Sequence, residues 1–252
     1  QAGDVWEANM ARMIASVPAF HLGDLRTAYR ESKKAYEIGL ETGDYSAVCI
    51  ALLFWVPCAP QLVPKGAIQK ELNRKREDPL SIAGAVYARG LELLLCEDKP
   101  AEAAQVLQDC LDRAKKRGLR NVCIFSAVTW KATALRIVTE RTPEGPARRA
   151  ALRAAKRSVR AALSITKSYL ACRPHALREA GILAMFEGKA EKARGLFHES
   201  LKVAEHNKAR YDHAKTTLAL GKAGLKFGWP GAAEQVAQAT ALIAEMEDVT
   251  KS

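Results

Sequence analysis

Between residues 174 and 247 apolar and small residues recur every three to four positions, interrupted by single glycines. That period buries one face of an α-helix, and the glycines mark the turns between helices. Ala180-Gly181 is followed by Gly188, Ala193, Phe197, Ser200 and Leu201, and Leu220-Gly221 by Gly228, Ala233, Ala237 and Thr240. Gly181 to Gly188 and Gly221 to Gly228 are both steps of 7, Gly188 to Ala193 and Gly228 to Ala233 both steps of 5, and Gly181 to Gly221 a step of 40. Self-similarity at such a period is the signature of a helical repeat array. Small residues at Gly181, Ala193 and Gly221 let two helix axes approach closely, and Gly188 and Gly228 suit helix ends.

The same reading runs along the whole chain. It predicts helices over 2–19, 25–40, 45–56, 65–75, 80–95, 100–117, 121–140, 147–168, 174–187, 189–206, 208–227 and 230–247. No segment alternates convincingly as a strand. Paired by their turns, the helices give hairpins over 1–44, 45–78, 79–118, 119–168, 170–207 and 208–247, within one array spanning 1–252. The expected class is all-α: a right-handed α-solenoid of about six hairpins, each burying its faces on its neighbours. Residues 45–78 depart most from the frame, because Pro57, Pro60 and Pro64 lengthen the turn and the second helix is short and polar.

The phrases HLGDLRTAYRESKKAYEIGLETGDYSA and ALREAGILAMFEGKAEKARGLFHESLKVAEHNKARYDHAKTTLALGKA carry a resemblance. They resemble tetratricopeptide repeats (TPR), in the long-helix form found in the sensor regions of large bacterial signal-transduction proteins. That resemblance implies a cytoplasmic interaction or sensor module. It also implies an ATPase module with a kinase, cyclase or transcriptional output elsewhere in the full-length protein. A first residue that is not Met fits a fragment of that kind.

Composition narrows the reading. Hydrophobic residues make up 48% of the 252, enough for a core. The longest apolar run, 47–60, is too short to span a membrane and is broken by Pro57. The six cysteines form no CxxC pair, and their apolar neighbours predict buried, reduced thiols. There is no GxxxxGK[ST], GxGxxG, GxSxG or HExxH. No catalytic residue, cofactor or metal ligand is therefore expected, and the chain is read as a non-catalytic module. An enzyme with a composite site is the weakest alternative.

The net charge of +11 points to an acidic protein, nucleic acid or an anionic surface. Two places concentrate cations. The first is the set of first helices of the hairpins, which line the concave face of a TPR-like array. There His175, Arg178, Lys215, Lys222 and, by a looser alignment, Lys131 point inward beside Ile182, Met185 and Leu218. Cations in such a groove would clamp an acidic or carboxylate-terminated peptide. The second is the helix over 147–163, whose polar face carries Arg149, Arg153, Lys156, Arg157 and Arg160 above a stripe of Leu152, Ala155, Val159 and Ala162. It would suit nucleic acid or an anionic surface, the alternative partners. The concave helices lack a regular base-reading pair and interleaved aromatics, which favours a protein partner.

Overall fold

A computed structural model describes residues 2–119 and 121–250. Gln1, Arg120, Lys251 and Ser252, which the 1–252 array includes, lie outside the described residues. The described chain is all-α, with no strand among the described residues. In order the helices are α1 (Ala2–Leu22), α2 (Leu25–Thr42), α3 (Tyr45–Cys58), α4 (Ala67–Asn73), α5 (Pro79–Leu95), α6 (Pro100–Lys116) and α7 (Val122–Phe125). They continue as α8 (Ala127–Arg141), α9 (Pro146–Ile165), α10 (Arg173–Phe186), α11 (Ala190–His206), α12 (Arg210–Phe227) and α13 (Ala232–Glu247).

Local chemistry sets the helix starts. Asp24, Asp44 and Asp78 cap α2, α3 and α5, each accepting a backbone N–H of the first turn at 2.8–3.0 Å. Proline opens α5, α6 and α9, where its missing N–H costs nothing. Gly188 and Gly228 adopt the left-handed conformation expected of them, at φ +72° and +74°. One expected helix is not continuous. The segment over 121–140 breaks at Ser126 into α7 and α8, with Asn121 capping the first turn through the Cys123 N–H at 2.8 Å.

The chain forms two compact units. The first comprises Asp24–Lys131 with residues 2–20 and 249–250; the second comprises Ala132–Asp248 with His21–Gly23. In the first, α3 is the central helix. Every residue from Ala47 to Val56 except Ile50 is buried, as α2 packs on one side and α5 on the other. Trp55 sits between the rings of Tyr29 and Tyr36, at 5.8 and 5.5 Å. The irregular second hairpin resolves into α3, a turn of 3-10 helix at Pro60–Leu62, and α4 laid on α5. The polarity of α4 conceals a buried anchor. The Glu71 carboxylate is 1% exposed and receives Arg74 at 3.0 Å and Arg76 at 2.6 Å.

In the second unit, α9 packs on α10, and α10 to α13 follow as successive antiparallel hairpins. A Cβ at Gly181 would stand 2.5 Å from the Phe197 ring, so the expected close approach is real. The repeat frame slips in the last helix. Ala233 and Ala237 are exposed, whereas Ala232 and Ala239 are buried and Val236 meets Gly221. The Trp229-Pro230-Gly231 turn delays the start of α13, so the residues of its inner face are not those at the offsets seen in α11.

Candidate interaction surfaces

The helices of the second unit carry a cross-linked polar network, drawn from α8 and from α10 to α13. On α8, Thr133 Oγ1 donates to Glu179 Oε1 at 2.9 Å and lies 2.7 Å from His175 Nε2. A hydroxyl has one proton, so with Glu179 ionised the His175 Nε2–H is the donor to Thr133. Arg136 Nε donates to Glu179 Oε2 at 2.9 Å, and its Nη1 to Glu140 at 2.8 Å. From α10, Arg178 Nη1 donates to Asp212 Oδ1 on α12 at 2.7 Å. Ser200 of α11 lies 2.9 Å from Thr216 and donates to the Pro174 carbonyl at 2.8 Å. Tyr211 donates to Glu247, and Lys215 reaches the same carboxylate at 3.5 Å.

This arrangement corrects the premise of the inward-facing cation set. His175 and Arg178 are 9% and 8% exposed, packed between helices rather than turned to an open groove. The Arg178 charge is met by Asp212 and the His175 ring by Thr133, beside Glu179; the sequence reading assigned neither acid a role. Lys215 is half-buried on Glu247, and Lys131, in the first unit, bonds to Gln108. Lys222 is exposed and makes no ion pair among the described residues. The signal that could have found the pairing is weak: acids at Glu179 and Asp212 fall within the same first-helix stretches as the cations.

The network also sets protonation. Burial, reinforced by the Arg178 guanidinium, lowers His175 from its ordinary 6.5 to about 4. Burial lowers His21 as well. Asp212 and Glu179 lie below the usual carboxylate range: burial opposes this, but Arg178 and Arg136 overcome it. In the unfolded chain His175 takes up a proton near pH 6.5, whereas in the folded protein it does so only near 4. Its stabilising contribution is therefore complete above pH 6.5 and is lost as pH falls toward 4. The expected result is a melting temperature that drops between pH 7 and pH 5, with a smaller drop in His175→Gln; thermal melts across that range check it.

Helix α9 is arranged differently. Ala155, Ser158, Val159 and Ala162 are buried, and Ala155 and Val159 pack on Ala180 and Leu183 of α10 with Leu152 beside them. The opposite face carries Arg149, Arg153, Arg157 and Arg160, all exposed and without an ion pair among the described residues. At 100° per residue the four lie within about 80° of the helix circumference, and at 1.5 Å per residue they extend about 16 Å along it. Lys156 is tied to Glu187 at 2.8 Å, and Arg148 to Glu144 at 2.7 Å.

No family model and no curated protein matches the chain. Among solved structures it is similar to BtubC (BKLC) from P. vanneervenii, with a TM-score of 0.53 and 12% identity, over 97% of this chain and 92% of that one. At that identity the likeness concerns the fold alone.

Among the described residues no group of three or more His, Cys, Asp or Glu is placed to hold a metal, and no helix is long and apolar enough to cross a membrane. Cys49, Cys58, Cys110 and Cys172 are buried free thiols, and burial pushes Cys49 up to about 11 and Cys110 to about 12. Cys96, expected inside, is exposed.

Proposed function

We propose that the chain is a non-catalytic, TPR-like interaction module that docks an acidic protein segment on the arginine face of α9. The observation that carries this is the contrast between the two cation sets. Of the inner set, Arg178 and Lys215 are met by Asp212 and Glu247 and His175 is buried against Thr133, while Arg149, Arg153, Arg157 and Arg160 face solvent on one side of one helix without a counter-charge among the described residues. Four guanidinium groups in a row offer charge-assisted bonds to carboxylates at helical spacing. The docking surface thereby moves from the inner groove to α9. The repeat frame of the sequence supports the wider reading, in which the module belongs to a cytoplasmic bacterial signalling protein and reports its bound state to an output domain.

The test is fluorescence anisotropy with a labelled glutamate-rich helical peptide, titrated across salt. The parent chain should bind, less tightly as salt rises. Arg153→Glu with Arg157→Glu should weaken binding by about tenfold or more, and Lys215→Glu with Lys222→Glu by about twofold or less. If the second pair abolishes binding and the first leaves it intact, the groove is the site. Tighter binding of a single-stranded RNA of equal charge would replace the protein partner with a nucleic acid.

A further inference from the structure

In the first unit a second basic stripe has a different shape. Arg26, Arg30, Lys33 and Lys34 project from one side of α2, with Glu37 the one acid among them. They line a cavity of about 370 Å³, to which Tyr29 and Val249, the latter buried and arriving from beyond the end of α13, contribute apolar surface. Its steps of 4, 3 and 1 residues differ from the 4, 4 and 3 of the stripe on α9, and here the cations line a concavity with apolar surface in it. The formal charge of the lining is +3, four cations less Glu37.

The internal acids leave much of that charge unmet. Arg30 gives its Nε to Glu31 at 2.9 Å, but Glu31 is shared with Arg12 at 3.0 Å. Lys33 stands 3.9 Å from Glu37, too far for a hydrogen bond. Arg26 and Lys34 make no ion pair with any described residue. At 1.5 Å per residue, Arg26 to Lys34 spans about 12 Å of helix, within reach of one small ligand.

We infer that this cavity binds a small organic phosphate, its phosphate held by Arg26, Arg30 and Lys34 and its apolar body lying on Tyr29 and Val249. A phosphate ester carries up to two charges and three strong acceptor oxygens, so it can serve several cations at once where a carboxylate carries one charge. The volume falls at the small end of ligand sites, and apolar surface beside convergent polar groups is the usual composition of one. The inference does not depend on the partner of α9. It gives the module a small-molecule input in the first unit, whereas α9 belongs to the second.

The experiment is isothermal titration calorimetry of the full chain at low ionic strength, with phenyl phosphate and with inorganic phosphate. Phenyl phosphate should bind saturably, about fivefold or more tighter than inorganic phosphate, because only it carries an apolar body. Arg26→Gln with Lys34→Gln should weaken phenyl phosphate by about tenfold or more, whereas Arg153→Gln with Arg157→Gln on α9 should change it by less than about twofold. All four positions are exposed, and thermal melts confirm that each variant keeps its fold. No saturable binding by the parent overturns the inference. Equal weakening by both double variants reduces it to diffuse surface charge, and equal affinity for the two probes removes the apolar subsite; either result overturns it too.

Discussion

Asp212→Ala is expected to cost about 3–5 kcal/mol of stability, because it leaves the Arg178 guanidinium buried without its counter-ion. Arg178 is 8% exposed, and its Nη1 is 2.7 Å from Asp212 Oδ1; its other acceptors are the Asp212 carbonyl and the Thr216 hydroxyl, each at a long 3.4 Å. Neither can replace a carboxylate. Asp212 also acts on His21 through its charge, opposing the lowering that burial imposes there. The informative control is the double change Asp212→Leu with Arg178→Met. Replacing both charges with apolar side chains of similar size removes the unpaired charge and should recover most of the loss. Urea denaturation of the three proteins decides the matter. A single variant within about 1 kcal/mol of the parent would mean that solvent, not Asp212, neutralises Arg178.

The second large effect is steric. Ala193→Phe and Gly221→Phe should each destabilise by about 1–3 kcal/mol or more, since neither crossing has room for a ring. Ala193 is fully buried in a cluster with Ala184, Phe197, Ala219, Leu220 and Ala223. A Cβ at Gly221 would already be 2.9 Å from Val236 Cγ2, 3.1 Å from the Val236 backbone nitrogen and 3.2 Å from the Ala232 carbonyl oxygen. Two of those atoms are backbone, so relief requires α13 itself to move. Gly195, inside α11, provides the contrast. A methyl group added there would meet nothing within 4 Å, so Gly195→Ala should instead stabilise by about 0.5–1 kcal/mol. Thermal melts read all three; equal behaviour at Gly195 and Gly221 would show that the crossing is looser than its distances indicate.

These two predictions also separate what can be read from a chain of letters from what cannot. The all-α class, most helix bounds, the turn glycines at 188 and 228 and the close approach at Gly181 were legible. Each depends on residues within a turn or two of one another, or on a hairpin whose two arms are joined by a short loop. The outward stripe of α9 was legible for the same reason, because its buried and exposed faces are written in a single helix.

The fate of the inner cations was not. Arg178 meets an acid 34 positions away, and Arg136 one that is 43 away, and no local pattern states which of many scattered acids will lie across a helix interface. The slip of α13 follows its own Trp229-Pro230-Gly231 turn, and Glu71 pairs with Arg74 and Arg76 close by in sequence, but its burial depends on packing that the polar pattern of α4 does not state. By itself the sequence determined that the chain is a run of helical hairpins with a surplus of positive charge. Only the tertiary structure decided which positive charges are spent internally, because an ion pair forms according to distance and burial across helices, and periodicity along one helix carries neither.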